Sequence, residues 1–225
     1  EIAHGVVTDI DTSAAAEMDD VYAIITPDSP SVPDRSYTSA GQSYPEPSPR
    51  DLNVLRKRVR SVGDPIAAVA AKDRTTARAA ARKISVTYEQ CDAVFDPEAT
   101  MAETAPQIHE KNDIENPQPG AAYERNIMAH GDGEIGDVES AFEEAATRSD
   151  RTVVETEWET PYQSHCVPEP HTTIAHRDED NRYHLITSSQ VPYHVRRQLA
   201  HLFEVPIRDV RVTKPRIGAG FGSKQ

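Results

Sequence analysis

The feature that most constrains the fold is a strand, helix, strand pattern in the first half of the chain. Residues 66–71 form an apolar run that predicts a central strand. Asp73 or Thr75 can cap the alanine-rich helix that follows, because short polar side chains accept hydrogen bonds from the first backbone N–H groups of a helix. Residues 83–89 then alternate between polar and apolar side chains, which is typical of a strand with one buried face. The pattern predicts a compact α/β unit over residues 1–95.

The rest of the chain divides into a connecting segment and a second folded region. Residues 27–50 are rich in proline, which prevents long regular elements and indicates a surface loop. Residues 96–125 are rich in proline, asparagine and glutamate and are predicted to be a linker. Residues 126–225 recover a regular periodicity, so the predicted fold class is α+β. The predicted elements there are helices at 137–147 and 191–203, the second with Val195, Leu199 and Leu202 on one face, and strands at 152–160, 171–176, 183–188 and 209–213.

Charge and hydropathy exclude several classes of partner. The chain carries 37 acidic and 24 basic residues, a net charge of −13, so it repels nucleic acid phosphates and anionic lipids. No run of apolar residues approaches the ~20 that a membrane helix needs, and no membrane association is expected. An acidic excess with few lysines fits either a halophilic source or an ordinary acidic cytoplasmic protein.

The cysteines and the first residues bear on the compartment and on completeness. Cys91 and Cys166 form no CxxC motif, so a zinc ribbon or an iron–sulfur site within this chain is not expected. Free thiols suit a reducing compartment, and we expect a cytoplasmic protein. Residues 1–5 contain neither a Met nor the basic and apolar regions of a signal peptide. They indicate a piece of a longer sequence.

The glycine-rich segment at residues 218–224 is the first candidate binding site. Three glycines in five residues let the backbone approach a ligand closely, and their N–H groups can face an anion or a metal-bound oxygen. The segment is not a P-loop, because Lys224 follows Ser223 and not a glycine. It also lacks the third glycine of a dinucleotide fingerprint. Spacing alone allows an ordinary tight turn at the end of a strand.

Two further motifs could carry chemistry. In an extended segment, His165, Glu169 and His171 point to one face, and two imidazoles with a carboxylate could bind zinc. Pro168 and Pro170 interrupt the alternation, and a structural turn with hydrogen-bonded histidines is the alternative. Gln190 follows a predicted strand and could donate a neutral hydrogen bond to an oxygen ligand, or belong to an ordinary loop before a helix.

Taken in order, these segments resemble the large subunits of molybdenum hydroxylases, the family of xanthine dehydrogenase, aldehyde oxidase and carbon monoxide dehydrogenase. Residues 1–95 resemble the α/β hammerhead domain, and residues 126–225 resemble the first part of the molybdopterin-binding domain. Residues 218–224 stand where the family has a Gly-Gly-Gly-Phe-Gly-x-Lys loop. The other segments that carry the resemblance are 8–13, 21–25, 59–69, 84–89, 131–132, 138–142, 162–165, 169–171 and 188–190.

The resemblance implies a catalytic subunit that carries molybdenum on a pterin and hydroxylates an aldehyde or an N-heterocycle, or oxidises carbon monoxide. Iron–sulfur and FAD groups are implied only on partner subunits, through which the electrons leave. Gln190 matches the glutamine that hydrogen-bonds an oxygen ligand of molybdenum. Gly220, Phe221 and Gly222 match the loop that packs against the metal site.

Departures from the family narrow these expectations. Ala219 replaces the middle glycine of the loop, which requires a backbone conformation that alanine can adopt. Gln225 stands where purine-oxidising members carry a substrate-binding glutamate, which disfavours a purine substrate. The general-base glutamate and most pterin contacts are expected beyond residue 225, so this chain holds no catalytic residue of its own and needs the remaining part of the molybdenum subunit. The alternatives are a non-catalytic binding or assembly module of the same fold and a small zinc-binding protein.

Overall fold

A computed structural model describes residues 2–39, 41, 44, 48–110 and 113–225. Within those ranges the backbone forms eight strands and five α-helices. Two 3-10 turns lie at Tyr123–Arg125 and Ile207–Asp209. The strands are β1 Gly5–Asp11, β2 Val21–Ile25, β3 Arg58–Val59, β4 Ala68–Ala71, β5 Ser85–Gln90, β6 Thr173–Arg177, β7 Tyr183–Thr187 and β8 Val210–Thr213; the helices are α1 Ser13–Ala16, α2 Arg74–Ala81, α3 Pro97–Thr100, α4 Val138–Thr147 and α5 Pro192–Leu202.

The first sheet is antiparallel and has β1 at its centre. Strand β3 pairs with one edge of β1 and β5 with the other, with Val6 opposite Glu89. The alternation of residues 83–89 therefore forms the expected strand. Val7 and Val59 are buried in this sheet, and they form part of the apolar core of the first unit.

Strands β2 and β4 form a separate two-stranded antiparallel sheet, and the prediction of a central strand at 66–71 is wrong. Only Ala68–Ala71 form a strand, and within the described residues β2 is its one partner. The apolar run has a different cause, since α2 packs on β4 and small side chains permit the close approach. The Asp73 cap is confirmed: its side chain accepts from Thr76 N at 2.8 Å, and Ala80 of α2 is fully buried.

The segment after β5 folds back onto the first sheet through arginine side chains. Arg60 donates from Nε to the carbonyl oxygen of Ile108 at 2.8 Å and from its Nη2 to the carboxylate of Asp113. Burial lowers the pKa of Arg60, and the charge of Asp113 acts in the opposite direction. Asn126 closes the same segment by accepting from Ile108 N and donating to the carbonyl oxygen of Thr100.

The second three-stranded sheet has the order β6-β7-β8, with β6 antiparallel and β8 parallel to β7. Helix α5 makes the crossover between the parallel strands, which need a connection of this length. Arg196 of α5 ties the helix to β8, because its Nε donates to the carbonyl oxygen of Val210 at 2.7 Å. The stacked rings of Tyr183 and Phe203 join β7 to the end of the helix.

The buried face of α5 is largely polar, and it shares only Leu202 with the apolar face that the sequence predicts. The buried residues are His194, Gln198 and Leu202, whereas Val195 and Leu199 are half-buried. His194 Nε2 lies 3.0 Å from the carbonyl oxygen of Thr38, and Gln198 Oε1 accepts from Thr38 N at 3.4 Å. The proline-rich loop of the first unit thus supplies backbone groups that satisfy buried side chains of α5.

The predicted strand at 152–160 does not form, and the whole segment is exposed. A strand needs a neighbour for its backbone hydrogen bonds, and no described residue pairs with this segment. Trp158 is 85% exposed and Tyr162 98% exposed, and Phe142 on α4 is also largely in solvent. The described residues contain no helix with the length and apolar character that a membrane crossing requires.

We predict that Asp64→Asn destabilises the first unit strongly. Asp64 lies after the turn at Gly63, its side chain is 7% exposed, and it accepts from Arg56 Nη1 at 2.5 Å and from Arg60 N at 2.7 Å. Removing one partner of a buried ion pair leaves the other charge uncompensated, so the free energy of unfolding should fall by about 3 kcal/mol at pH 7. Urea unfolding measures the change. The control, Asp20→Asn, removes an exposed partner of Lys72 and should cost no more than about 0.5 kcal/mol.

The same variant predicts a pH dependence. Burial raises the pKa of Asp64, but the hydrogen bond from the Arg60 N–H and the charge of the Arg56 guanidinium lower it by more. The pKa of Asp64 therefore lies below its ordinary 3.8. A carboxylate with a depressed pKa in the folded state stabilises the protein above its unfolded pKa, and that contribution is lost as the pH falls through the folded pKa. The stability difference between wild type and Asp64→Asn should therefore shrink below pH 3.8. A difference that stays constant into that range would contradict the assignment.

Candidate functional site

The parallel pairing of β7 and β8 brings two loops to one edge of the second sheet. The carboxyl ends of adjacent parallel strands lie at the same edge, which is where open sheets commonly bind ligands. Ser189 and Gln190 follow β7, and residues 214–224 follow β8. The two loops are joined at Lys224, whose carbonyl oxygen accepts from Gln190 N at 2.7 Å and from Ser189 Oγ at 3.2 Å.

The side chain of Gln190 is held by the glycine-rich loop. Its Oε1 accepts from Gly222 N at 2.8 Å and from Lys224 N at 3.4 Å. Because both partners are backbone donors, the oxygen must face the loop, and the Nε2 group is left as the free end of the carboxamide. No described atom accepts a hydrogen bond from that Nε2. Gln190 therefore presents one oriented donor beside the loop.

The loop needs glycine where its backbone approaches Gln190. A Cβ atom at Gly220 would lie 2.3 Å from Gln190 Oε1, and Gly222 has a φ of +99°, a conformation that side chains disfavour. Phe221 also has a positive φ, of +52°, and its ring is 70% exposed. Ala219 has no positive φ, so alanine is accommodated there without backbone strain. The N–H groups of Gly220 and Phe221 donate to no described atom.

The opposite side of the loop rests on residues 165–171. Glu169 Oε2 accepts from the backbone N–H of Gly218 and from that of Ala219, and Oε1 lies 3.5 Å from Lys224 Nζ. The Gly218 N–H lowers the pKa of Glu169, and the Lys224 charge lowers it further. His171 Nε2 lies 2.9 Å from the carbonyl oxygen of Ser223.

The zinc hypothesis fails on this geometry, although its three side chains do lie around one loop. The carboxylate of Glu169 is occupied by backbone N–H groups, and the Nε2 of His171 donates to a carbonyl oxygen. His165 lies beside Gly222. The part of the chain that the structure describes contains no group of three His, Cys, Asp or Glu side chains that could hold a metal ion. The segment supports the loop instead.

The structure brings most of the sequence-predicted residues together and adds others. Gln190, Gly220 and Gly222 are in contact, and Phe221 lies between the two glycines. Gln225 ends the described chain half-buried, and its side chain hydrogen-bonds to no described residue. The sequence did not indicate that Glu169 contacts Lys224 and the start of the loop, because residue 169 lies far from residues 218–224 in the chain.

The free groups of the site suit an oxygen-bearing anionic ligand. The Nε2 of Gln190 and the N–H groups of Gly220 and Phe221 are donors without an acceptor among the described residues. Backbone and carboxamide donors of this kind bind oxo or phosphate oxygens without needing a charged side chain. A molybdenum–pterin group, whose metal carries oxygen ligands, fits this donor set. The residues available to hold it are Gln190 and the loop from Gly220 to Gly222.

Two family models match this chain. Residues 1–92 match the family model described as the aldehyde oxidase and xanthine dehydrogenase a/b hammerhead domain, and residues 120–225 match the molybdopterin cofactor-binding domain. A probable hypoxanthine oxidase of Escherichia coli is 35% identical over 99% of this chain and 25% of its own length. A xanthine dehydrogenase molybdenum-binding subunit of Escherichia coli is 31% identical over all of this chain and 28% of its own length.

The solved structures of molybdenum hydroxylases share the fold. The aldehyde oxidoreductase of Desulfovibrio gigas matches with a TM-score of 0.73 at 24% identity, over 96% of this chain and 22% of that one. A Cu,Mo carbon monoxide dehydrogenase matches with a TM-score of 0.68 at 25% identity, over 97% of this chain and 27% of that one. The chain thus spans about a quarter of the length of these relatives. It belongs to the molybdenum hydroxylase family of xanthine dehydrogenases and aldehyde oxidoreductases, within their molybdenum-binding subunit.

Proposed function

We propose that this chain forms part of a molybdopterin-dependent oxidoreductase, in which Gln190, Gly220, Phe221 and Gly222 contact the cofactor. The observation that carries the proposal is the carboxamide of Gln190, whose oxygen is fixed by Gly222 N while its Nε2 stays free as a donor. The matched molybdopterin-binding family model supports the identity of the ligand.

The separate roles of the cofactor and of this chain follow from the hydrogen-bond donors at the site. The bound cofactor supplies the redox chemistry that oxidises an aldehyde, an N-heterocycle or carbon monoxide with oxygen from water. Gln190 holds and polarises an oxygen atom at the site through its Nε2 donor, and the fixed loop dipoles favour negative charge there without reorganising. No residue of this chain is proposed as the general base; we expect that glutamate beyond residue 225.

The chain is proposed to act with further protein parts. The remaining part of the molybdenum subunit would supply most pterin contacts, and partner subunits would carry the iron–sulfur and FAD groups. Trp158, Tyr162 and, on α4, Phe142 each expose apolar side-chain area for that remaining part to cover. The two free cysteines suit a reducing, cytoplasmic compartment.

Gln225 bears on the substrate class. It stands at the end of the cofactor loop, where a neutral side chain offers no negative charge to a protonated or hydrogen-donating purine ring. We propose an aldehyde, a non-purine heterocycle or carbon monoxide as the substrate. One relative is named for hypoxanthine oxidation, so a comparison of kcat/KM for hypoxanthine and for an aromatic aldehyde decides the class.

We predict that Gln190→Glu separates the donor role of Gln190 from its support of the loop. The glutamate keeps an oxygen acceptor for Gly222 N but replaces the Nε2 donor with a second acceptor. In the complete enzyme, kcat should fall by about 100-fold, the usual cost of losing one preorganised donor. Hydrogen exchange of the Gly222 amide should stay unchanged, because its acceptor is retained.

The matched control for this test is Gln90→Glu, the same substitution at an exposed position at the end of β5 in the first unit. It should leave kcat within twofold of wild type. An equal loss of kcat in both variants would trace the effect to added negative charge and count against the donor role. Unchanged kcat in Gln190→Glu would remove Gln190 from the site.

The exposed apolar surface gives a second prediction. Trp158 is the one tryptophan of the chain, and in the lone chain its fluorescence should be that of a solvated indole, readily quenched by acrylamide. Addition of the remaining part of the subunit should shift the emission to shorter wavelength and reduce quenching at least threefold, because assembly covers apolar surface. Full quenching of Trp158 in the assembled subunit would show that this surface stays open.

A further inference from the structure

Glu169 contacts both ends of the glycine-rich loop. Its Oε2 accepts from the N–H groups of Gly218 and Ala219, at the start of the loop, and its Oε1 faces Lys224, at the end of the loop. A single carboxylate therefore connects the first and the last residues of the loop. Hydrogen bonds to an ionised acceptor are roughly twice as strong as neutral ones, so this contact outweighs an ordinary turn hydrogen bond.

Lys224 is the buried half of the same arrangement. Its side chain has no exposed surface, and its Nζ lies 3.5 Å from Glu169 Oε1. No described atom accepts a hydrogen bond from that ammonium group. A buried ammonium depends on its counter-charge, and among the described residues the one carboxylate at ion-pair distance is Glu169.

The backbone of Lys224 connects this ion pair to Gln190. Lys224 N donates to Gln190 Oε1 at 3.4 Å, and the Lys224 carbonyl oxygen accepts from Gln190 N at 2.7 Å. The loop also packs closely against both side chains, because a Cβ atom at Gly218 would lie 2.8 Å from Glu169 Oε2 and one at Gly220 would lie 2.3 Å from Gln190 Oε1. A shift of Lys224 would therefore move the carboxamide of Gln190.

We propose that Glu169 and Lys224 are a pair of positioning residues, which fix the glycine-rich loop and through it the free donor of Gln190. The cofactor role of that donor rests on the proposed function. The closure of the loop by the pair stands without it. Neither residue is proposed to touch the cofactor: Glu169 acts through Gly218 and Ala219, and Lys224 acts through Gln190.

The test compares two single variants with their double variant in the full chain, assembled with its cofactor. Glu169→Gln leaves the Lys224 ammonium without a counter-charge, and Lys224→Met leaves the carboxylate without its cation. Each should raise hydrogen exchange of the peptide 217–225 about tenfold or more, the cost of losing a hydrogen bond or contact to a charged group. Each should also change the molybdenum X-ray absorption spectrum, which a purely structural contact elsewhere would not alter.

The double variant Glu169→Gln with Lys224→Met supplies the rescue. The carboxamide oxygen can still accept from the Gly218 and Ala219 N–H groups, and no buried charge remains. Exchange of peptide 217–225 should return to within about threefold of wild type, with the wild-type molybdenum spectrum. The exposed pair Asp20 and Lys72 gives the control, because Asp20→Asn should change neither readout.

The pairing would be overturned if the single variants exchange within twofold of wild type, or if exchange in the double variant increases by the product of the two single-variant increases. In either case, molybdenum bound to the wild-type protein would leave the proposed function standing. The opposite result separates the two claims. If the wild-type chain binds no molybdenum but the singles exchange fast and the double recovers, the pair is supported and the proposed function falls.

Discussion

The site depends on one structural constraint, the parallel pairing of β7 with β8 across α5. Parallel strands end at the same edge of a sheet, so the residues after β7 and the loop after β8 lie next to each other. Arg196 holds the crossover helix to Val210 of β8. Without this pairing, Gln190 and the glycine-rich loop would be separate pieces of irregular chain, each compatible with an ordinary turn.

The first unit contributes to this arrangement through hydrogen bonds to α5. The backbone of Thr38, in the proline-rich loop, meets His194 and Gln198 on the buried face of α5. Buried polar groups require such partners, so these hydrogen bonds fix the backbone at Thr38 although the described residues of the loop form no helix or long strand. The polar face of α5 thereby links this helix, which connects the two strands that carry the site, to the hammerhead unit.

Local patterns were predictable, and contacts between distant segments were not. The Asp73 cap and the alternation of β5 depend on residues a few positions apart, and the sequence shows them directly. The position of Gln190 and the loop from Gly220 to Gly222 came from family resemblance, and the cofactor contacts of these residues remain a proposal. The domain boundaries at residues 95 and 125 remain predictions, although Arg60 of the first unit hydrogen-bonds to Ile108 and Asp113 between them.

The errors have physical causes that the sequence does not display. Alternation at 152–160 indicates a strand, but a strand forms only beside a partner, and the described residues offer none. His165, Glu169 and His171 do lie around a common loop, yet backbone groups use the atoms that a zinc ion would need. Sequence spacing indicates which side chains share a face, whereas their ability to bind a metal depends on which other groups already hydrogen-bond to them.

The most direct measurement of the central claim is the molybdenum content of the complete subunit that contains this chain, purified from cells that make the pterin cofactor. Inductively coupled plasma mass spectrometry should find about one molybdenum per chain and no stoichiometric zinc, because we propose that Gln190 and the glycine-rich loop form one side of a molybdenum site. Stoichiometric zinc, or neither metal in a folded and fully assembled subunit, would contradict the account.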